Sequence, residues 1–548
     1  MTANDAIRAA LVQAAERLGA PGADVALERP RDPAHGDLSS NLALTLAKVL
    51  RAKPREVADR LVAVLDVPPV LVRKTEIAGP GFINFFLAEA ELAAVLGTVL
   101  TAGPGYGRSA SGHGTAINVE FVSANPTGPL HVGHGRGAAL GDAIASLLEW
   151  VGYTVTREFY VNDAGTQIDK LARSLWARVQ QQVGRAAELP DGGYRGDYLV
   201  ELAERILAKE GTAFADLPED EGLRRCRSIG IETQRAEQDE DLRMFGVAFD
   251  LVFLESELYR LGLIEQTLQQ LAELGQTFEQ DGALWLRATT FGDDKDRVLR
   301  KRDGSYTYLL PDIAYHRHKH ERGFRYAIDV WGADHHGYVP RVRAALRALG
   351  LPEDFFAVEI VQLVRVMRGG EEVRVSKRAG DFVTLRDLFQ ETGVDAARYF
   401  FLMRRGDSQF VFDVDLATSQ TDENPVFYVQ MAHARMSGIF RVAGRVPESV
   451  RADGVALGVL DAPEEIALMK ELTAFPEVVA RAAQEREPHR ITGFLEGLAR
   501  VAHAWYHKYR VLGEPAPQEQ ARLVLARAVR QVLANGLAVL GISAPDRM

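Results

Sequence analysis

The hydrophobic pattern in the first third of the chain predicts a strand, a helix and a second strand in succession. From 116 to 122, apolar residues alternate with Asn118 and Glu120, which is the two-residue period of a half-buried strand. Apolar residues then recur at helical spacing until Gly152, which is placed to end a helix, and 153–161 is again extended. These elements form a βαβ unit, so we expect an α/β fold.

The pattern elsewhere divides the chain into further units. A glycine- and serine-rich stretch at 102–112 is predicted to be a linker. The segment from 164 to about 281 is mostly charged helix and is predicted to be an insertion into the α/β core. From Pro425 onwards, helical stretches rich in leucine and alanine predict an all-α C-terminal bundle. A chain of 548 residues is too long for one core, and about three or four units are expected.

The turn between the first predicted strand and its helix, Ser123–His134, carries the strongest chemical signal. In it, His131 and His134 flank Gly133 at the predicted start of the helix. A glycine turn lets a phosphate approach the backbone, and the N–H groups at a helix start favour its negative charge. Because the two histidines lie on adjacent turns, both can reach the same phosphate oxygens as charge builds there. The alternative is that they merely cap the helix.

A cationic loop further along the chain supports a phosphate site. The segment Met367–Glu372 is predicted to be a turn, and it leads into Arg374–Asp381. In that loop Lys377 and Arg378 can neutralise phosphate charge, and the Ser376 hydroxyl can add a hydrogen bond. Alone, such a run is more often an exposed basic turn. After a histidine turn, it indicates a loop that closes over a triphosphate.

These two motifs, in this order, resemble the signatures His-Ile-Gly-His and Lys-Met-Ser-Lys-Ser of the class I aminoacyl-tRNA synthetases. Within that class the chain most resembles the arginyl-tRNA synthetase family. Its segments His35–Asn41 and Gly79–Phe85 are similar to the N-terminal domain with which that family touches the tRNA elbow, and Leu540–Met548 is similar to its usual terminus. The resemblance covers essentially the whole chain.

The resemblance implies an ATP site. Arg374 and Arg378 depart from the second signature, so only Ser376 and Lys377 are carried over from it. The expected catalytic residues are His131, His134, Ser376 and Lys377. The expected ATP-binding residues are Gly133, His134, Gly135, Gly332, Asp334 and Lys377. The segment Asp329–Gly337 is predicted to be a buried strand that runs into a glycine turn, where family members bind adenosine. A metal site at Asp334, His335 and His336 is an alternative, but no other ligand cluster has recognisable spacing.

Charge indicates which amino acid could be bound. A guanidinium presents five donors in a planar fork and needs carboxylates in a site that excludes water. In the family, positions matching Glu120, Tyr308 and Asp312 contact the guanidinium, and those matching Asn125 and His131 hold the α-amino and carboxylate groups. The expected arginine-binding residues are Glu120, Ser123, Asn125, His131, Tyr308, Asp312 and His335. Alternatively, Glu120 could be an edge-strand surface charge, Tyr308 a core residue and Asp312 a helix N-cap.

Composition limits the class of protein. The single cysteine, Cys226, excludes disulfides within the chain and zinc knuckles, and indicates a reducing cytosol. No apolar run approaches the roughly 20 residues of a membrane span, and the first residues lack the regions of a signal peptide. We therefore expect a cytoplasmic protein.

The net charge of −11 is unexpected for a tRNA-binding protein, but the charge is unevenly distributed. From Pro425 to the end, 15 Lys and Arg stand against 13 Asp and Glu, a net +2, so the remainder carries −13. The stretch 502–510 interleaves aromatic and cationic residues, which can stack unpaired bases. An ordinary bundle with solvated arginines is the alternative. The expected tRNA-binding residues are Phe82, Asn84, Tyr428, Arg435 and Tyr509.

The resemblance implies a two-step ligase with ATP and Mg²⁺, without zinc. Arginine is first activated to arginyl-adenylate and then transferred to the terminal adenosine of tRNA(Arg), and activation is expected to require bound tRNA. The protein is expected to be a monomer. The expected domains are an α+β tRNA-elbow-binding domain at 1–108, a catalytic nucleotide-binding domain at 109–383, a stem-contact connector at 384–424 and a helical anticodon-binding domain at 425–548.

Three other interpretations are open. Gly133–Ala138 also fits the G-x-G-x-x-A fingerprint of dinucleotide-dependent oxidoreductases, with Glu158 twenty residues later. That fingerprint should follow its strand directly, however, whereas Ser123–Leu130 intervene. A non-catalytic tRNA-binding protein would not be expected to retain both histidines and Lys377. Another class I synthetase is disfavoured by the N-terminal domain and the acidic pocket.

Overall fold

The computed structural model describes residues 3–30, 32–373 and 382–548. Its N-terminal part is an α+β domain. Its elements are α1 (Ala3–Arg17), β1 (Leu38–Ser40), α2 (Leu42–Leu46), α3 (Pro54–Ala63), β2 (Val72–Ala78), β3 (Phe82–Leu87) and α4 (Glu89–Ala102). Strand β3 pairs antiparallel with β1 on one side and β2 on the other. Its Ile83 and Phe85 are fully buried, so this domain has a core of its own.

The middle of the chain alternates strands with helices. Its elements are β4 (Ala116–Glu120), α5 (Val132–Trp150), β5 (Thr154–Val161), α6 (Thr166–Gln182), α7 (Asp197–Glu210), α8 (Glu219–Met244), β6 (Leu251–Leu254), α9 (Glu255–Arg260), α10 (Leu263–Glu273), β7 (Thr277–Gln280), β8 (Ala283–Leu286), β9 (Arg297–Arg300), α11 (Leu309–Glu321), β10 (Tyr326–Gly332), α12 (Val339–Ala348), β11 (Phe356–Val361), β12 (Val364–Arg368), β13 (Glu371–Val373), α13 (Leu385–Thr392), α14 (Val394–Leu402), β14 (Phe410–Asp413) and α15 (Val414–Thr418).

The central sheet has the strand order β11-β10-β4-β5-β6, and each described pair of neighbours is parallel. The predicted βαβ unit is confirmed as β4, α5 and β5. The strand order reverses at β4, because the chain continues to β5 on one side while β10 lies on the other. In open α/β sheets, ligands bind at such a switch point, outside the carboxyl ends of the strands. The predicted histidine turn lies there.

Helix α5 packs directly on the sheet because small residues line it. A Cβ added at Gly141 would lie only 2.2 Å from Cγ of Phe121, so no side chain fits at this position. The helix ends at Trp150, and Gly152 follows with a φ of +93°, as the sequence predicts. This contact brings the middle of α5 close to Phe121, directly after β4.

The segment 164–281, predicted to be a mostly helical insertion, is mostly helical but also contains strands β6 and β7. Helices α6, α7 and α8 enclose a separate apolar cluster that includes Leu171, Leu175 and Leu199. The chain then returns to the central sheet as β6, which pairs with β5. The four apolar residues of β6 are too few to reveal a strand by periodicity, and they form one because β5 offers a free edge. Strands β7, β8 and β9 then form a small antiparallel sheet.

The turn predicted at 367–372 is confirmed as a hairpin. Strands β12 and β13 pair antiparallel across Gly369 and Gly370, which have φ of +58° and +79°. Strand β14 joins β12 in parallel on the other side. Ser376 and Lys377 of the predicted cationic loop lie outside the described residues.

The C-terminal part is an all-α bundle, as predicted. Its helices are α16 (Pro425–Val442), α17 (Pro463–Glu485), α18 (His489–Lys508) and α19 (Ala516–Val539). Arg398 of α14, fully buried, donates to the Leu540 carbonyl (2.9 Å) and to Oδ2 of Asp142 on α5 (2.5 Å), which fastens the bundle to the central domain. Among the described residues, no helix combines the length and apolar character that crossing a membrane requires.

Candidate active site

His131 and His134 form a reciprocal cap at the start of α5. Nδ1 of His131 accepts the His134 backbone N–H, and Nδ1 of His134 accepts the His131 backbone N–H, both at 3.2 Å. The rings stack with centroids 3.6 Å apart. An Nδ1 that accepts a hydrogen bond is unprotonated, so the neutral rings carry their hydrogen on Nε2. The cap therefore turns an N–H donor of each histidine away from the backbone.

Both histidines are held neutral. Burial, with a smaller contribution from His131, lowers the pKa of His134 to about 3. Burial also lowers the pKa of His131. The alternative that these residues cap the helix is thus correct in geometry, but capping and phosphate binding use different nitrogens. The pair can donate two hydrogen bonds at the helix N-terminus without carrying charge.

The residues after the predicted cationic loop return to the histidine turn. The Val132 N–H donates to the Val383 carbonyl (3.2 Å), and the Leu385 N–H donates to the Leu130 carbonyl (2.8 Å). The Phe382 ring stands edge-on to the His131 ring, with centroids 5.6 Å apart. The chain thus leaves the loop beside the histidine pair, although Ser376 and Lys377 themselves are not among the described residues.

A strained turn connects β4 to the histidines. Val122 and Ser123 have φ of +68° and +40°, which non-glycine residues rarely adopt and which a β-branched valine adopts least readily. This conformation places the Ser123 hydroxyl between the carboxyl ends of β4 and β5. There it accepts the Tyr160 N–H (3.1 Å) and donates to Oε1 of Glu120 (2.8 Å). Backbone strain of this kind is retained where surrounding contacts over-determine it.

Three carboxyl groups surround the Tyr160 hydroxyl at the carboxyl ends of β4, β5 and β6. Tyr160 donates to Oε2 of Glu255 (3.1 Å), and its pKa is raised by burial and by the negative charges of Glu255, Asp312 and Glu120. Burial raises the pKa of each of the three carboxyl groups. Asp312 accepts a hydrogen bond from the Tyr338 hydroxyl (2.6 Å). Glu120 is paired with the buried Lys319, but Glu255 and Asp312 have no ion-pair partner among the described residues, so a bound cation would stabilise the pocket.

The structure excludes the alternatives for three predicted positions, Glu120, Asp312 and Tyr308. Glu120 is not a surface charge, because β4 is an inner strand and the side chain is 7 % exposed. Asp312 is not an N-cap, because α11 begins at Leu309 and Tyr308 precedes it. Tyr308 is not a core residue either, since it is 81 % exposed at the N-terminus of α11.

Glu255 was missed in the sequence. It follows directly after β6, the strand that the charged-helix pattern concealed. A signal was present nonetheless, because a carboxylate after a short apolar run is typical of a strand end in an α/β sheet. His316 and Lys319 were also missed, although they share one face of α11 with Asp312 at helical spacing.

The remaining predicted residues lie around the same cleft with fewer contacts. Asn125 donates to Oε1 of Gln167 (2.7 Å). Asp334 and His335 are exposed, with His335 Nε2 3.4 Å from Oδ2 of Asp334. A Cβ at Gly332 would meet Oδ1 of Asp334 at 2.6 Å, a contact that the exposed Asp334 side chain can relieve by turning away. Among the described residues, no group of three or more His, Cys, Asp or Glu is placed to hold a metal ion.

Gly133 and Gly135 serve packing as well as the predicted nucleotide contact. A Cβ at Gly133 would lie 2.9 Å from Cε1 of His131, so the histidine pair can stack only over a glycine. Gly135 is buried, and a Cβ there would lie 2.5 Å from Cδ1 of Leu385. Its close contact is therefore with α13.

The predicted tRNA-binding residues lie in two places. Phe82, which is 40 % exposed, and the buried Asn84 line a cavity of about 1100 Å³ between the N-terminal domain and the bundle. On the bundle, Tyr428 and Arg435 both contact His503, with Arg435 Nη1 2.6 Å from its Nδ1. Tyr509, in contrast, donates to Oε2 of Glu464 (2.7 Å).

The geometry around Glu158 contradicts the oxidoreductase interpretation. Its acidic residue, Glu158, is fully buried and accepts hydrogen bonds from Asn118 (2.6 Å), Tyr315 (2.7 Å) and Arg322 (2.7 Å). A carboxylate so enclosed cannot reach a ribose hydroxyl in the cleft.

Comparison with known families identifies the family to which the chain belongs. Residues 96–435 match the catalytic domain of the class I tRNA synthetases of the arginine type, residues 2–87 match the arginyl tRNA synthetase N terminal domain, and residues 429–548 match the DALR anticodon binding domain. The chain belongs to the arginyl-tRNA synthetase family. The expected fold class, the enzyme class of aminoacyl-tRNA ligase and the C-terminal anticodon-binding domain are thereby confirmed.

Individual relatives of the family are similar along nearly the full length. The arginine–tRNA ligase of Bordetella petrii is 51% identical over 553 residues, covering 98% of both chains. That of Geobacillus kaustophilus is 48% identical over 541 residues, covering 98% of this chain and 97% of the relative. The structure of Thermus thermophilus arginyl-tRNA synthetase superposes with a TM-score of 0.77 at 25% identity, covering 99% of this chain and all of that one.

Proposed function

We propose that this enzyme activates L-arginine with MgATP to arginyl-adenylate and then transfers arginine to the 3′-terminal adenosine of tRNA(Arg). The observation that carries the choice of amino acid is the set of Glu120, Asp312 and Glu255 around Tyr160. Burial makes each carboxyl group less acidic. Glu120 is paired with Lys319, and a bound cation would stabilise the ionised forms of Asp312 and Glu255. A guanidinium, which stays protonated at any physiological pH and offers five donors, suits several carboxylates at once.

The first step is displacement at the α-phosphate of ATP. The arginine carboxylate attacks the phosphorus, and pyrophosphate leaves. The Nε2–H groups of His131 and His134 donate to oxygens that gain charge in the transition state, and the N-terminus of α5 adds its N–H groups. The departing pyrophosphate is stabilised by the positive charge of Lys377 and by a hydrogen bond from the Ser376 hydroxyl. Mg²⁺ enters as part of the substrate and neutralises phosphate charge.

In the second step a ribose hydroxyl of the tRNA terminal adenosine attacks the arginyl carbonyl, and AMP leaves. No side chain acts as a nucleophile in either step, so catalysis rests on positioning and on charge stabilisation. The arginine site is completed by Ser123, Asn125, Tyr308 and His335. The adenosine is bound by Gly332 and Asp334. The surfaces at Phe82 and at Tyr428 contact the tRNA elbow and the anticodon arm, respectively. A cytoplasmic, monomeric enzyme is consistent with these assignments.

Aminoacylation of total tRNA, measured with each labelled amino acid in turn, tests the proposal. Purified protein with MgATP is expected to charge arginine alone, and Lys377→Ala is expected to do so far more slowly because a cation near the pyrophosphate is lost. Lys295→Ala, which removes a lysine from an exposed loop, is the matched control and should charge at the wild-type rate. Charging of a different amino acid would contradict the acidic-pocket argument, and no charging would contradict the function.

Activation is expected to depend on tRNA. ATP–pyrophosphate exchange with arginine should be weak in the protein alone and rise strongly when tRNA(Arg) is added, as the family resemblance implies. A tRNA whose terminal adenosine has been oxidised, so that it binds without accepting arginine, should still support exchange. Exchange at the full rate without any tRNA would refute the dependence while leaving the arginine assignment intact.

A further inference from the structure

A lysine is buried beneath the arginine pocket. Lys319 of α11 has no exposed surface, and its Nζ lies 2.5 Å from Oε2 of Glu120 on β4 and 3.0 Å from Oδ1 of Asp329 on β10. It stands seven residues after Asp312, on the same face of the helix. One helix thus presents a carboxylate to the pocket and an ammonium to the carboxylate behind it.

A second cation completes the cluster. Nε2 of His316 lies 2.8 Å from Oδ2 of Asp329, and its Nδ1 lies 2.8 Å from the Asp312 carbonyl oxygen. Both partners are acceptors, so both ring nitrogens must donate, which requires the imidazolium form. Against the effect of burial, Asp329 raises the pKa of His316. Two cations, Lys319 and His316, therefore balance Glu120 and Asp329.

The charge of Glu120 depends on this cluster. Its Oε1 accepts from the Ser123 hydroxyl, which itself accepts the Tyr160 N–H, and its Oε2 accepts from Lys319. An ammonium can only donate, so a proton on Oε2 would face a donor, and the ionised form fits this contact. Burial and Asp329 both raise the pKa of Glu120, and Lys319 opposes them. Two of the four lone-pair positions of the carboxylate are used, which leaves two for a ligand.

We propose that Lys319 is a positioning residue for arginine: its ammonium, shared between Glu120 and Asp329, keeps Glu120 ionised and oriented for the guanidinium. Lys319 does not touch the substrate. This inference rests on the proposed arginine site. It extends that site by assigning the control of its charge to a residue behind it.

Other titratable groups face the cluster and must be considered with it. They are Glu158 and Tyr160 from β5, Glu255 from α9, Asp312 and Tyr315 from α11, and Asp329 from β10. Tyr315 donates to Oε1 of Glu158 (2.7 Å), and the Arg322 guanidinium pairs with the same carboxylate. Glu158 is thus neutralised separately, and the balance at Glu120 is left to Lys319.

Lys319→Met removes the charge at similar volume and tests the inference. At pH 7 the KM for arginine in aminoacylation is expected to rise by at least about tenfold, because each unit by which the pKa of Glu120 exceeds the pH lowers the ionised fraction about tenfold. The rise should shrink as the pH is raised to 9, whereas the KM for ATP stays unchanged at each pH. The ratio of variant to wild-type KM cancels the titration of arginine's own amino group.

Arg322→Met is the matched control, since it removes a cation at the end of the same helix from Glu158 instead. It should lower thermal stability without a pH-dependent change in the KM for arginine. The double variant Lys319→Met/Asp329→Asn removes one charge of each sign, and its KM should return toward the wild-type value. Additive loss in the double variant, or a pH-independent KM ratio for Lys319→Met, would overturn the inference. Failure of the wild type to charge arginine would instead overturn the proposed function.

Discussion

Replacing His134 with alanine is expected to slow arginine-dependent ATP–pyrophosphate exchange by about 10²- to 10³-fold, the usual effect of removing one donor from a transition-state oxyanion. The loss should fall on kcat more than on the KM for ATP, because the donor matters most when charge builds on the phosphate. Exchange rates with saturating tRNA(Arg), measured as a function of ATP concentration, check this expectation.

Two further substitutions at the same position separate the two functions of the ring. In His134→Asn the side-chain oxygen can accept the His131 N–H as Nδ1 does now, so the helix cap and the stability should be kept while the rate stays low. In His134→Gln an amide N–H can reach the position of Nε2, so part of the rate should return. If Asn restored the rate as well as Gln, the histidine would be serving only as a cap.

The pH dependence follows from the low pKa of His134. Its pKa is about 3 in the folded protein against 6.5 for a free side chain. The unfolded chain therefore binds more protons between these two pH values, and the contribution of His134 to stability is present above pH 6.5 and is lost as the pH falls. At pH 7 and above the ring stays neutral, so the exchange rate should show no ionisation of His134 there.

Asp312→Asn is expected to raise the KM for arginine by about 30- to 5000-fold, since truncating one partner of a buried charge pair, here the pair with the bound guanidinium, costs about 2–5 kcal/mol. The change keeps the shape of the side chain, and the Tyr338 hydroxyl can still donate to its oxygen. The KM for ATP should remain within about twofold of wild type. Aminoacylation kinetics with arginine varied over a wide range provide the measurement.

Two control variants test whether the rise in KM comes from the charge of Asp312. Asp354→Asn, which alters an exposed carboxylate paired with Arg325, should leave the KM for arginine unchanged. Tyr338→Phe, which removes the hydrogen bond to Asp312 but not its charge, should have a smaller effect than Asp312→Asn. An Asp312→Asn enzyme with wild-type KM would mean that the guanidinium binds elsewhere.

Local pattern was enough for the nucleotide-binding unit. Alternation in β4, helical spacing in α5 and the stop at Gly152 are properties of neighbouring residues, and all three were confirmed. Strand β6 was missed because four residues are too short for a period, and because pairing with β5 is a long-range decision. Local signals describe an element well only when it is long enough to express its own period.

The candidate site was predicted as a list of residues but not as an arrangement. Asp312 and Glu120 were recognised through the family resemblance, yet Glu255 was not, because only the return of β6 to the sheet brings it to Tyr160. The cap between the two histidines could be anticipated from their spacing. The tautomer that the cap imposes required the distances.

The sequence by itself determined the βαβ unit, the position of the histidine turn between β4 and α5, and the family, because these were read from motifs whose residues lie close together in the chain. Only the tertiary structure decided the charge state of the pocket. Lys319 and Glu120 are 199 residues apart, and they meet because α11 packs across the carboxyl ends of β4 and β10. Whether a buried carboxylate is ionised depends on such a neighbour, which no local pattern contains.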